Sequence, residues 1–203
     1  MSEWSEQTVA RIAASIRKRR TELKLSAQEL ADRTKELGHP VNRSSIAGWE
    51  NGTRGDRMLI GDVLVLCEAL RMPLGALLYP EQPDGEVEVY PGVSFGSYEA
   101  AQSLTGEVVI PRPGDLTPGD DGIELGSQRL DDWTTGTELP RLVRMRAALH
   151  GLHETAHREY EDALADGNVE SAQHRLTYMD DLSRRLRRIT SEIRKLGGVV
   201  NDE

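Results

Sequence analysis

The chain has 203 residues, of which 37% are hydrophobic and 29% charged, and its formal net charge is −9. No apolar run reaches the roughly 20 residues that a membrane-spanning helix needs. The first six residues are polar and acidic, unlike a secretory signal, and the single cysteine, Cys67, excludes an internal disulfide. We therefore expect a soluble cytoplasmic protein of one or two domains, with no cysteine-rich zinc site and no membrane partner.

The negative charge is unevenly distributed along the chain. Residues 1–79 carry a net charge of +2, residues 80–138 carry −11, and residues 139–203 are neutral overall. Charge asymmetry of this kind indicates separate units. The acidic total therefore does not exclude an acidic partner, such as nucleic acid, for the first unit.

Two helices are predicted at the start of the first segment. Apolar residues recur at helical spacing over residues 8–23 and predict the first helix. Ser26 and Glu29 form a capping-box pattern, in which each side chain bonds the other residue's backbone, and this predicts the start of a second helix. Gly38 predicts its end.

Three more helices complete this segment. Asn42 is a favoured N-cap residue and predicts a third helix over residues 43–50. Apolar positions over residues 60–70 predict a fourth helix, and Pro73 can open a short fifth helix. These five short helices predict a compact all-α domain over residues 1–79.

The acidic middle segment has a different pattern. Residues 86–90 alternate like a strand, and residues 108–110 are its predicted partner. A short helix is predicted over residues 98–104. Residues 111–138 are rich in Pro, Gly and Asp, which predicts an irregular linker. The sequence therefore predicts that residues 80–138 as a whole form an acidic linker with short strands and a helix.

The last segment, residues 139–203, is predicted to be a helical hairpin. Apolar residues step by threes and fours along two stretches that Asp166-Gly167-Asn168 separates. One hairpin leaves part of its apolar surface exposed, so we expect a homodimer through residues 139–203 with a four-helix core. The basic run at residues 184–188 predicts a solvated helix face, with the acidic middle segment or DNA as alternative partners.

Histidines on the first tail helix raise the question of a metal site. His150, His153 and His157 lie on one side of this helix, and Glu154 is adjacent. The spacing departs from the His-Glu-x-x-His pattern of zinc peptidases. We therefore expect no metal and no cofactor, and interpret these histidines as a polar face.

A sequence motif spans the second and third predicted helices. It consists of Leu25-Ser26-Ala27-Gln28-Glu29-Leu30-Ala31 followed by Asn42-Arg43-Ser44-Ser45-Ile46-Ala47-Gly48-Trp49-Glu50-Asn51-Gly52. With these motifs, residues 8–79 resemble the helix-turn-helix domain of the Cro and phage-repressor (XRE) family. The connection Gly38-His39-Pro40-Val41 and the downstream stretch Glu86-Val87-Glu88-Val89 resemble the actinobacterial or actinophage-like form of that family. The resemblance implies a five-helix lambda-repressor-like fold and a transcriptional regulator, most often a repressor, that binds a double-stranded DNA operator.

The resemblance also assigns the DNA contacts. In such folds the N-terminal residues of the third helix face base edges in the major groove. The family commonly has Gln at the position of Ala27, and here Gln28 stands one place further on. The loop after the third helix is expected to contact phosphates. The expected DNA-binding residues are therefore Gln28, Asn42, Arg43, Ser44, Ser45, Arg54 and Arg57.

The sequence also bears on two other classes of function, an enzyme and a protein-interaction module. Some phage repressors carry a Ser–Lys peptidase, but Lys195 is the one lysine beyond the first segment and ends a predicted helix. No phosphate-binding glycine loop or nucleophile motif is present, so we expect no enzyme. The remaining alternative is an antitoxin-like or protein-interaction module whose helical tail binds a partner protein.

Overall fold

The computed structural model describes residues 3–55, 57–111, 115–119, 122–125 and 127–201. These residues are mainly helical, with eight helices and two small two-stranded sheets. They divide into two compact units, Met1–Leu116 and Thr117–Glu203. The described part of the chain contains no helix with the length and apolar character needed to cross a membrane.

The first unit contains the five helices predicted for residues 1–79. Beyond them lie a β-hairpin and a sixth helix, the latter close to its predicted range. The elements are α1 (Glu3–Glu22), α2 (Ala27–Glu36), α3 (Arg43–Glu50), α4 (Ile60–Ala69), α5 (Leu74–Leu78), β1 (Glu86–Tyr90), β2 (Val93–Gly96) and α6 (Ser97–Ser103).

A capping box explains where α2 begins, and α3 begins without a side-chain cap. The Ser26 hydroxyl accepts the Glu29 N–H at 3.1 Å, and the Glu29 carboxylate accepts the Ser26 N–H at 2.7 Å, so the predicted capping box is confirmed. The hydrogen bond from the Ser26 N–H lowers the pKa of the Glu29 carboxyl group. Asn42 occupies the N-cap position of α3, as predicted, although its side chain makes no capping hydrogen bond.

The five helices enclose one apolar core, and a buried threonine fixes the connection from α2 to α3. The Thr34 hydroxyl donates to the Ala31 carbonyl at 2.8 Å and accepts the Val41 N–H at 2.9 Å. A buried polar group satisfied in this way avoids the cost of an unmade hydrogen bond. The largest fully buried side chains of this core are those of Ile16, Leu30, Ile46, Leu66, Leu70 and Leu77.

The strand pairing differs from the prediction. β1 pairs antiparallel with β2, not with residues 108–110. The tight turn at Pro91-Gly92, where Gly92 has a φ of +77°, lets neighbouring strands pair at little cost in loop closure. Ile110, the last residue of the predicted partner strand, is instead buried in a second apolar cluster. The other buried members of this cluster are Tyr79, Val87, Val89 and Ala100.

The second cluster is continuous with the core of the five helices. Leu78 packs against both. Arg11 of α1 donates to the carbonyls of Leu78 at 3.0 Å and Glu88 at 3.5 Å, and its guanidinium lies 5.8 Å from the centre of the Tyr79 ring. Residues 80–110 therefore pack as part of the first unit, within the range 80–138 that the sequence predicted to be a linker with short strands and a helix.

The second unit is a helical hairpin preceded by a short strand pair. Its elements are β3 (Leu116–Gly119, the first residue of which belongs to the first unit), β4 (Gly122–Leu125), α7 (Ser127–Ala165) and α8 (Val169–Lys195). The predicted hairpin is confirmed, with a turn at residues 166–168 in which Gly167 has a φ of +69°. Its buried core consists of Leu142, Leu149, Ala156, Leu182, Ile189 and Ile193.

The prediction of an irregular linker over residues 111–138 is wrong for its second half, which belongs to α7. The helix already begins at Ser127 and continues through Pro140. Proline lacks an N–H, so it deprives one carbonyl, that of Gly136, of its helical donor. Thr135 and Thr137 bond carbonyls of the preceding turn. Residues 112–114, 120–121 and 126 of the predicted linker lie outside the described residues.

Candidate nucleic-acid interface

The inner face of α3 is anchored in the core of the first unit. Ile46 and Trp49 are buried, and the Trp49 indole Nε1 donates to the Arg57 carbonyl at 2.8 Å. The indole thereby ties α3 to the loop that follows it. An anchored inner face fixes which residues of α3 point outward.

A buried ion pair fixes α3 to α1. Arg20 Nε and Nη2 donate to the two carboxylate oxygens of Glu50 at 2.8 and 2.7 Å, and Arg20 Nη1 donates to the Leu25 carbonyl at 2.6 Å. The Arg20 and Glu50 side chains are only 16% and 8% exposed. The hydrogen bonds to Glu50 raise the pKa of Arg20 above its usual value. Sequence reasoning missed this pair because its members lie far apart in the chain, and no local pattern links them.

Four of the seven predicted DNA-binding residues come together at the outer surface of α2 and α3. Gln28, Asn42, Arg43 and Ser44 are exposed and line one shallow depression. The Gln28 amide donates to the Asp32 carboxylate at 2.9 Å, which orders a side chain at the rim. The N-terminal turn of α3 therefore presents a guanidinium, a hydroxyl and an amide to the outside.

Ser45 is a correction to the predicted site. It is only 7% exposed and belongs to the inner face of α3, with Ile46 and Trp49. Each helical step turns the side chain by about 100°, so the residue after Ser44 already points away from the outer surface. The Ser45 side chain is therefore not available to base edges.

Arg54 and Arg57 lie in the loop after α3, and both side chains are exposed. The Arg54 guanidinium lies 5.7 Å from the centre of the Trp49 ring, a cation–π arrangement. A Cβ added at Gly48 would lie 2.9 Å from Arg54 Cγ. Glycine at position 48 therefore leaves the space in which Arg54 packs along α3.

Two histidines of α7, for which the sequence predicts a polar face and no metal, lie beside polar side chains of α7 and α8. His153 Nε2 lies 3.2 Å from the Ser183 hydroxyl, and His157 Nδ1 lies 3.6 Å from the Glu161 carboxylate. Within the described residues, no three His, Cys, Asp or Glu side chains are arranged to hold a metal ion. These histidines thus take part in contacts within and between the two helices.

Comparison of the chain with protein-family models, with curated proteins and with solved structures finds no match.

Proposed function

We propose that this protein is a sequence-specific regulator of transcription, of the repressor type, that reads double-stranded DNA with α3. The observation that supports this most is the outward position of Arg43 and Ser44 at the N-terminal end of α3, whose opposite face is anchored by Trp49 and Glu50. This is the end of a recognition helix that enters the major groove.

The exposed residues divide by the chemistry of their contacts. The fork of N–H groups on Arg43 suits the O6 and N7 atoms of guanine, and the Ser44 hydroxyl can donate to or accept from any base. Gln28 and Asn42, at the same depression, offer amides to bases or phosphates. Arg54 and Arg57 suit phosphate oxygens, which position the protein without reading sequence.

We further propose that the tail hairpin joins two copies of the chain into a homodimer. Apolar side chains remain exposed on α7 and α8, among them Met145, Leu152, Leu164, Val169 and Leu176. Pairing two hairpins would cover part of this surface. A two-fold dimer would present two copies of α3 to a pseudo-palindromic operator.

The same exposed apolar residues favour the second candidate, an antitoxin-like module whose tail binds a partner protein. The two candidates differ in what the full chain does alone. A homodimeric regulator assembles and selects DNA by itself, whereas the tail of the alternative needs a different protein.

The experiment that tests the proposal is selection of bound fragments from random duplex DNA by the full chain, followed by sequencing. We expect a recurrent site with G·C pairs in register with Arg43. The matched control is Arg43→Ala, for which the preference at that pair should disappear while the rest of the site persists. Recovery of random fragments by the unchanged protein would contradict the proposal.

A further inference from the structure

The basic run of α8 separates into two kinds of arginine in the structure. Arg184 and Arg185 both pair with Asp181, at 3.6 and 2.7 Å, and Arg188 pairs with Glu192 at 3.3 Å. Within the described residues, Arg187 has no carboxylate partner. Its side chain instead lines a depression on the side of the tail hairpin.

Cationic and polar groups from both helices meet in this depression. Arg146 and His150 come from α7, and Arg187, Thr190 and Arg194 come from α8, over an apolar floor that includes Leu186. No described acidic side chain lines it. The Arg146 and Arg187 guanidinium groups therefore lie at one cavity, one from each helix.

One hydrogen bond orients the groups at the centre of the depression. Arg146 Nε donates to the Thr190 hydroxyl oxygen at 3.3 Å. A hydroxyl that accepts this bond keeps its own hydrogen to donate. The bond also holds Arg146 in place, which leaves the two terminal nitrogens of its guanidinium for a ligand.

We propose that this depression binds a phosphate group. A phosphate oxyanion offers several acceptor oxygens to the planar N–H forks of arginine, and such charge-assisted pairs are among the stronger hydrogen bonds in proteins. The phosphate can belong to a free phosphorylated molecule or to the DNA backbone, since the chemistry of recognition is the same. The proposal does not rest on the proposed DNA-binding function, because free phosphate tests it without DNA.

The test uses the full chain and two matched variants, Arg187→Gln and Arg184→Gln. Both remove one charge from the same exposed run, but Arg184 already pairs with Asp181 and does not line the depression. Isothermal titration with inorganic phosphate at constant ionic strength should give saturable binding. We expect Arg187→Gln to weaken it about tenfold and Arg184→Gln to leave it unchanged.

A second arm identifies the source of the phosphate. If the site holds the DNA backbone, Arg187→Gln, but not Arg184→Gln, should lower affinity for a short duplex and reduce the salt slope by about one. Loss in this arm alone also supports the site, with DNA as its ligand. Equal responses of the two variants in both arms would overturn the proposal. So would binding of polyglutamate as tight as that of phosphate, since this would indicate a surface that attracts any acidic chain.

Discussion

The chain carries two basic runs of similar composition, residues 17–20 in α1 and residues 184–188 in α8. In α1, Arg20 is mostly buried and bridges to Glu50 on another helix. In α8, by contrast, three of the four arginines pair with acids one turn away on the same helix and stay exposed. Whether an arginine of a basic run is buried and structural or exposed thus depends on which acidic residues of other elements lie next to it.

The two kinds of ion pair differ in energetic weight. Removing one partner of a buried pair leaves a charge out of water without compensation, whereas an exposed pair in a helix contributes at most about 1 kcal/mol. We therefore expect substitutions at the buried Arg20–Glu50 pair to lower stability more than substitutions at the exposed pairs of α8.

Glu50→Ala should have the largest effect. It leaves the Arg20 guanidinium, 16% exposed, without its carboxylate and should lower the free energy of unfolding by about 3 kcal/mol or more. Asp181→Ala, which removes the exposed partner of Arg184 and Arg185, should lower it by less than about 1 kcal/mol. Urea unfolding followed by circular dichroism measures both.

The double variant Arg20→Met with Glu50→Leu serves as the control for this pair. Replacing both charges with apolar side chains should recover much of the stability lost in Glu50→Ala, because no buried charge then lacks a partner. Similar losses in Glu50→Ala and Asp181→Ala would remove the distinction between the two runs.

Truncation should have the next largest effect, because Arg11 and Tyr79 tie the β-hairpin to α1. A fragment of residues 1–80 loses the second apolar cluster, whereas residues 1–111 keep it. We expect the shorter fragment to be less stable by at least about 2 kcal/mol, since Leu78 and Tyr79 become exposed. Unfolding of the two fragments measures this difference, and equal stabilities would show that residues 80–111 contribute nothing to the first unit.

The same longer fragment tests the role of the tail. By light scattering at tens of micromolar, residues 1–111 should be monomeric and the full chain dimeric. A monomeric full chain would contradict the proposed homodimer.

Gly48→Ala should have a smaller effect, and on DNA binding more than on stability. Alanine stabilises a helix by about 1 kcal/mol relative to glycine. The added Cβ, however, displaces the Arg54 side chain from its position against α3 and the Trp49 ring. We expect DNA affinity to fall as in Arg54→Ala, on all sequences alike. Binding measured on specific and random duplexes checks this, and an affinity of Arg54→Ala unchanged from that of the parent protein would exclude Arg54 as a phosphate contact.

The features that could be predicted from the sequence are those with local causes. The capping box of Ser26 and Glu29 starts α2, and apolar spacing with the Gly167 turn predicts the tail hairpin, because each signal lies within a few residues. The outward positions of Arg43 and Ser44 also agreed with expectation. These residues lie at the exposed first turn of a short helix.

What could not be predicted depends on contacts between distant residues. The burial of Ser45 follows from how α3 sits on the core, and the Arg20–Glu50 pair joins residues on separate helices. The start of α7 was hidden by Gly136 and Pro140, which individually disfavour a helix that nonetheless continues through both. For Ser45 and for the Arg20–Glu50 pair, the deciding contact lies outside the window that a local pattern covers.

The proposed function depends on the anchored α3 reading base edges through Arg43. The most direct measurement compares the parent protein with Arg43→Ala and Arg43→Lys on the selected site and on the same site with the contacted base pair changed. We predict that both variants lose about 1–3 kcal/mol on the selected site and no longer distinguish the two duplexes, because lysine keeps the charge but not the bidentate fork. Full discrimination by Arg43→Lys, or an equal loss on both duplexes in Arg43→Ala, would contradict it.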